Sequence, residues 1–347
     1  MILLNTISRE PMLIIRPFTW FFGHILNFIF MFVNFISPTE ANTLGFAIIL
    51  MTIVSRTLLL PLAIKGQKST SRMQKLMASP EMEKINKKYE GKNDNDSKRA
   101  KHLETTELQK KHGVNMLAGC LPMFIQMPIF IGLFYVMNQI YQFVDFIGGI
   151  YNQLATAIMQ IPGYFTPLYN VGYSMIPNNM EINTNNVNDV ARLINRFRAD
   201  DWARFLEEIP ATYHYQIQNI LDRKDGVERF ATISLVEGTS LSWPSILIPL
   251  MAVIFTFLSS YLMNKHQKAL RAGRADSNPQ AAMQQKIMMF GMPLFMGFIT
   301  LGMPGGVGLY WVVGNIYQIF QQLAFNKFLR VDLKVDKPDK GFRARRT

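Results

Sequence analysis

Five stretches of this chain are apolar and long enough to cross a lipid bilayer: residues 42–64, 121–143, 243–264, 287–303 and 307–325. A hydrocarbon core of about 30 Å takes roughly 20 helical residues, with about 17 as the lower limit. The fourth stretch sits near that limit. In lipid every backbone N–H and C=O must be satisfied within the structure, so segments of this kind span as helices. The expected fold is therefore an all-α integral membrane protein, a five-span helical bundle. Composition agrees: 49% of residues are hydrophobic, 17% are charged, and Phe (26) and Met (22) are abundant.

A sixth apolar stretch, residues 18–36, reads differently. His24, Asn27 and Asn34 recur at helical spacing along one face, which fits an amphipathic helix lying in the membrane interface. Spanning is the alternative. A signal peptide fits poorly, because the stretch is long, bulky and lacks a small-residue cleavage site.

Lys and Arg set the orientation. Residues 65–112 carry 13 basic and 7 acidic residues, 265–286 carry 5 and 1, and 327–347 carry 8 and 3. Residues 144–242 instead carry 7 basic and 11 acidic. The sign alternates in step with five spans. The basic segments and the C-terminus are thus expected in the cytoplasm, and the N-terminus and residues 144–242 outside.

The chain divides accordingly into an N-terminal segment (1–41), two spans flanking a cytoplasmic helical hairpin (42–143, hairpin 65–112), an extracytoplasmic segment (144–242), three further spans (243–326) and a basic tail (327–347). In the hairpin, Ser79-Pro80 interrupts the first arm, residues 91–96 supply the turn, Asp96 or Ser97 caps the second arm, and Gly113 stops it. Neither arm has enough apolar residues for a packed core. The hairpin reads either as a solvated basic loop or as a docking arm. In the extracytoplasmic segment, residues 144–176 are mostly apolar and are expected along the outer membrane surface. Residues 177–189 are Asn-rich and read as a linker. A helical insert at about 178–229 shows periodic Val190, Leu193, Ile194 and Phe197, then Trp202, Phe205, Leu206 and Ile209. It is small for an independent core and reads as an accessory or contact element.

Arg56 is the one charge in its span, and no other span carries an acidic residue to neutralise it. A charge at mid-membrane costs roughly 2.5–3.5 kcal/mol on insertion scales, which makes it rare and functional by default. With about 12 Å of helix between it and the cytoplasmic end, its remaining option is a hydrated cavity open to the cytoplasm. Gln126 lies one turn into the second span. Trp311, Asn315, Gln318 and Gln322 share a face of the last span at spacings of four, three and four. These polar groups should point inward, to line the same cavity or to hydrogen-bond between helices; Trp311 serves equally well as an interfacial anchor. No metal-ligand spacing, phosphate-binding glycine loop or catalytic pair appears, and Pro304-Gly305-Gly306 lies between apolar segments. An enzyme, a cofactor and a metal are not expected. Cys120 is alone and cannot form an internal disulfide.

Four segments carry a resemblance to a known family. They are LGFAIILMTIVSRTLLLPLAIK (44–65), with Arg56 five residues before Pro61; HGVNMLAGCLPMFIQMPIFIGLFYVM (112–137); ILIPLMAVIFTFLSSYLM (246–263); and PGGVGLYWVVGNIYQIFQQLAFNK (304–327). In this order and topology they resemble the YidC insertases, in the Gram-positive form, related to mitochondrial and chloroplast proteins. The chain departs from the pattern in lacking an N-terminal lipidation cysteine and in its longer outward insert. The large periplasmic domain of Gram-negative members is absent. The resemblance implies a membrane protein insertase and chaperone with a hydrophilic groove, open to the cytoplasm and closed to the outside. Its partners would be nascent membrane proteins, membrane lipids, and the ribosome through the basic hairpin and C-terminal tail, with the Sec translocon left open. Arg56 would draw in acidic residues of a client's hydrophilic tail, alongside Gln126, Trp311, Asn315 and Gln318. The tail's basic residues, Lys337 to Arg346, suit ribosomal RNA or anionic lipid equally.

Overall fold

The computed structural model describes residues 15–37, 39–92, 94–113, 121–172, 175, 183–270, 283 and 286–328. The basic tail beyond residue 328, most of the 265–286 linker and the first half of the Asn-rich linker lie outside them. Among the described residues the structure is mostly helical, with one two-stranded ladder, β1 (Arg229–Phe230) and β2 (Ile233–Ser234). It divides into two compact units. The first comprises residues 1–52, 128–249 and 299–311, the second residues 53–127, 250–298 and 312–347.

In chain order, α1 covers Arg16–Ile36, α2 Thr43–Leu58 and α3 Leu60–Met77. The first expected span is therefore not one straight helix to residue 64. It breaks at Leu59, and α2 and α3 meet at a bend of 56°. Pro61 accounts for the break: it has no N–H for the Thr57 carbonyl, and its ring crowds that carbonyl. Two helices are long and apolar enough to cross a membrane among the described residues, α1 and α13 (Leu247–Leu270), and a third if the bent pair is counted as one. The last helix, α15 (Gly305–Phe328), is 24 residues long, but Asn315, Gln318, Gln321 and Gln322 lower its hydropathy.

In the first unit, α1 buries Phe22, Leu26, Ile29 and Phe30. Its Asn27 is half-buried. It donates to the Asp145 carboxylate at 2.8 Å and accepts from the Asp145 N–H at 3.1 Å, capping the helix that begins there. That helix is α8 (Asp145–Met159), which follows α6 (Leu121–Asn138) and the short α7 (Ile140–Phe143). Although residues 144–176 were expected along the membrane surface, α8 is a core element: Ile147, Ile150, Tyr151, Leu154, Ala155 and Ile158 are all buried. After α9 (Phe165–Gly172), the insert forms α10 (Val187–Ile194), α11 (Ala199–Glu208) and α12 (His214–Glu228). Both α10 and α12 pack on α8. The expected apolar set closes this core, with Val190, Leu193, Ile194, Phe197, Trp202, Phe205 and Ile209 buried and Leu206 half-buried. The insert thus escapes the size limit on small domains by sharing its core with α8.

In the second unit, Ser79 caps α4 (Pro80–Lys88) by accepting from Met82 N–H at 3.2 Å. The next helix, α5 (Asn95–Lys111), starts earlier than expected. Its cap is Asp94, which accepts from Ser97 N–H at 2.8 Å, rather than Asp96 or Ser97. Gly113 follows its end in the left-handed region at φ 63°, where a Cβ would be strained. Lys88 and Tyr89 reach Glu104, and His112 lies 2.7 Å from Glu81, so α4 and α5 run antiparallel. Leu76, Met82 and Leu108 form a small apolar cluster with Met73 and Ile85 against it, although the few apolar residues of each arm predict no packed core. Farther along, Leu250, Ile254 and Leu258 on α13 and Leu294, Phe295 and Phe298 on or beside α14 (Met292–Thr300) are exposed. An apolar surface of this extent suits lipid rather than water. A π-helical turn, Ile287–Gly291, leads into α14. Pro293 explains it, because it cannot donate to the carbonyl four residues back.

Candidate functional site

Arg56 sits in the last turn of α2, just before the break that Pro61 imposes. The helix end leaves carbonyls without intrahelical donors and carries the negative end of the helix dipole. A cation there gains roughly 0.3–1 kcal/mol, a partial offset to its cost in the membrane. In a straight helix running to residue 64, Arg56 would lie eight residues from its end. The bend puts it instead at a helix terminus.

The guanidinium lies against α15. A Cβ built on Gly314 would stand 2.7 Å from Arg56 Nη2 and 3.3 Å from both Cζ and Nε, so the group occupies the space a side chain would take. Arg56 is half-buried, its Nε is buried without a hydrogen-bond partner, and it enters no ion pair among the described residues. One residue on, Thr57 Oγ1 lies 3.2 Å from the Tyr317 hydroxyl and also donates to the Ile53 carbonyl at 2.8 Å. Beside Gly314, the buried Asn315 amide joins α15 to α13. Its Oδ1 accepts from Ser259 Oγ at 3.1 Å, and its Nδ2 donates to Thr256 Oγ1 at 3.2 Å. The arrangement offers a fixed, half-buried positive charge with unused donor capacity, and no acid–base or nucleophilic pair.

Known proteins match this chain along most of its length. The model of the 60Kd inner membrane protein family aligns with residues 35–332. Membrane protein insertase YidC of Oceanobacillus iheyensis is 29% identical over 283 residues, covering 82% of this chain and 74% of that protein. MisCA, a membrane protein insertase of Bacillus subtilis, is 27% identical over 313 residues, 90% of this chain and 81% of its own. YidC 2 of Bacillus anthracis is 27% identical over 289 residues, 83% and 74% respectively. The chain belongs to the YidC family. Its relatives are named insertases, not enzymes.

Within this YidC-family chain the expected groove residues fare differently. Arg56, Asn315 and Gln318 fall in the second unit, and Gly314 brings the arginine and α15 together. Asn315 spends its amide on α13, which is the interhelical role weighed against groove lining. Gln318 is half-buried and makes no hydrogen bond among the described residues. Gln126 is half-buried in α6. Trp311 belongs to the first unit, edge-on to Phe130 with ring centroids 5.8 Å apart. Gln322 is buried and donates to Asn326 Oδ1 at 3.0 Å. Gly314, Tyr317, Thr256 and Ser259 went unnoticed in the sequence. Tyr317 was readable in principle, since it lies beside the polar face already identified. The Pro304-Gly305-Gly306 amides are committed to structure: Gly305 and Gly306 donate to the Glu237 and Leu235 carbonyls at 3.0 and 2.7 Å. Among the described residues no group of three His, Cys, Asp or Glu side chains could hold a metal.

Proposed function

We propose that this chain is a membrane protein insertase and chaperone of the cell membrane, which moves hydrophilic tails of nascent membrane proteins part-way across the bilayer and releases their apolar segments into lipid. The observation that carries this reading is the Arg56 guanidinium, half-buried against Gly314 with its Nε unpartnered. A positive charge held ready in this way is suited to an acidic group arriving from outside the chain. At an effective dielectric of about 20, such a pair at about 4 Å is worth on the order of 4 kcal/mol before desolvation is subtracted. That holds a tail transiently without trapping it.

In this reading Arg56 lies in a groove open to the cytoplasm and closed to the outside, with Gln126 and Gln318 as further lining and Asn315 fixing its wall. The bundle has five spans, 42–64, 121–143, 243–264, 287–303 and 307–325, with α1 in the interface, the N-terminus outside and the C-terminus in the cytoplasm. The α4–α5 hairpin and the basic tail meet the ribosome. The bond-free mechanism needs no cofactor: groove water and Arg56 lower the cost of moving polar groups, and the apolar segment partitions into lipid beside the bundle.

The test is complementation of an insertase-depleted host, with insertion of a single-span client bearing an acidic N-terminal tail followed by protease protection. The intact chain should restore protection, Arg56→Lys should restore part of it, and Arg56→Ala should not. Full protection with Arg56→Ala would refute the role of the arginine.

A further inference from the structure

Arg56 takes its position from the end of a broken helix. Its guanidinium enters no ion pair among the described residues, and its Nε is buried without a hydrogen-bond partner. No carboxylate there holds the charge from its outer end. Its place is then set by the backbone beneath it and by the space that Gly314 leaves. That backbone is weakened. Arg56 and Thr57 lie in the last turn of α2, and Pro61 deprives the Thr57 carbonyl of the donor that an unbroken helix supplies four residues on. A helix end of this kind frays unless something outside the helix holds it.

Thr57 supplies a point of attachment. Its Oγ1 stands 2.8 Å from the Ile53 carbonyl oxygen and 3.2 Å from the Tyr317 hydroxyl. A threonine hydroxyl has one hydrogen and a carbonyl can only accept, so that hydrogen goes to Ile53. Tyr317 is therefore the donor to Thr57, and its own hydrogen is committed. The bond joins α2 to α15 across 260 residues of chain, within the second unit. Tyr317 is half-buried and stands three residues beyond Gly314, about one helical turn. A single turn of α15 thus carries both the gap that receives the guanidinium and the hydroxyl that draws in the residue next to it.

We propose that Tyr317 is a positioning residue for Arg56. It holds the end of α2 against α15, so that the guanidinium stays beside Gly314 where an acidic client tail meets it. Because its hydrogen is spent on Thr57, Tyr317 acts through Arg56 and not as a donor to the client. This role rests on the reading of Arg56 as the client-facing charge. At 3.2 Å the bond is long for a hydroxyl pair, so its effect on function is graded rather than absolute.

The test is insertion by the full chain in an insertase-depleted host, with two clients that share one apolar segment and differ in carrying an acidic or a neutral tail. Tyr317→Phe keeps the ring and removes only the hydroxyl. Thr57→Val removes the partner at nearly constant shape, and Thr57→Ser restores it. Tyr317→Phe and Thr57→Val should each lower insertion of the acidic tail about two- to fourfold, the span of one interhelical hydrogen bond in a membrane protein. The double variant should lose no more than either alone, Thr57→Ser should insert as the intact chain does, and the neutral tail should be spared throughout. Wild-type insertion of the acidic tail by Tyr317→Phe overturns the proposal. So do equal losses for both tails, which mark a purely structural bond, and additive losses in the double variant. Arg56→Ala separates this role from the reading beneath it. If Arg56→Ala inserts acidic tails normally, the arginine reading fails and the positioning role falls with it. If Arg56→Ala fails while Tyr317→Phe does not, only the positioning role is lost.

Discussion

Replacing Gly314 with alanine should disable Arg56 while leaving the protein folded. The added methyl would sit 2.7 Å from Nη2, against an ordinary contact of about 3.5–4.0 Å. The guanidinium must retreat by roughly 1 Å. That retreat is inexpensive for stability: an off-rotamer arginine costs about 0.5–1.5 kcal/mol, while alanine gains roughly 1 kcal/mol over glycine within a helix. Function is more sensitive. Lengthening an ion pair from about 4 to about 5 Å at a dielectric of about 20 removes roughly 0.8 kcal/mol, or about fourfold in occupancy at 1.4 kcal/mol per tenfold. The assay is insertion of an acidic-tailed client by protease protection, beside thermal unfolding of the purified variant. Gly314→Ala should reduce insertion of that client about fourfold with little change in Tm, and a client with a neutral tail should be spared. Arg56→Lys in the same chain should recover part of the loss, because a slender ammonium tolerates the methyl. Wild-type insertion by Gly314→Ala, or equal losses for acidic and neutral tails, would refute the reasoning.

Asn315→Ala removes the amide joining Ser259 and Thr256 and should lower unfolding stability in detergent by about 0.5–2 kcal/mol; an unchanged Tm would show that the clasp is idle. Lys224→Ala strands the buried Glu228 carboxylate and should destabilise by roughly 3–5 kcal/mol, whereas Lys224→Met/Glu228→Leu should be nearly neutral, as unfolding curves will show. The Arg223 hydrogen bond holds the Glu40 carboxyl below its usual value of 4.5. Its contribution is present above that value and lost as pH falls through the lowered pKa. Both side chains are two-fifths exposed, so screening limits the effect to less than about 1 kcal/mol. Glu40→Gln should flatten the acid limb of a Tm-against-pH profile by that amount, and an unaltered limb would discount the pair.

The helical character, the insert's apolar set and the hairpin turn were legible because each is written in periodicity or turn chemistry. Val190, Leu193, Ile194 and Phe197 lie three or four residues apart, and the pattern alone locates a buried face. Arg56 was legible because a charge in an apolar run stands out. The bend at Leu59 was missed although Pro61 was in view, since the long apolar run masked a break within it. The core role of α8 was missed because an apolar face does not say whether protein or lipid will cover it. Gly314 was the hardest, because it acts through the side chain it lacks.

The shared core of α8, α10 and α12 also bears on how such a chain can change over generations. The insert is not a detachable cassette, because removing residues 187–228 would strip the cover from Ile147, Ile150, Tyr151, Leu154 and Ile158. A descendant that shortens this loop must recolour that face of α8 with polar side chains, or lay it on lipid. Insert length and the composition of α8 are therefore inherited as one character.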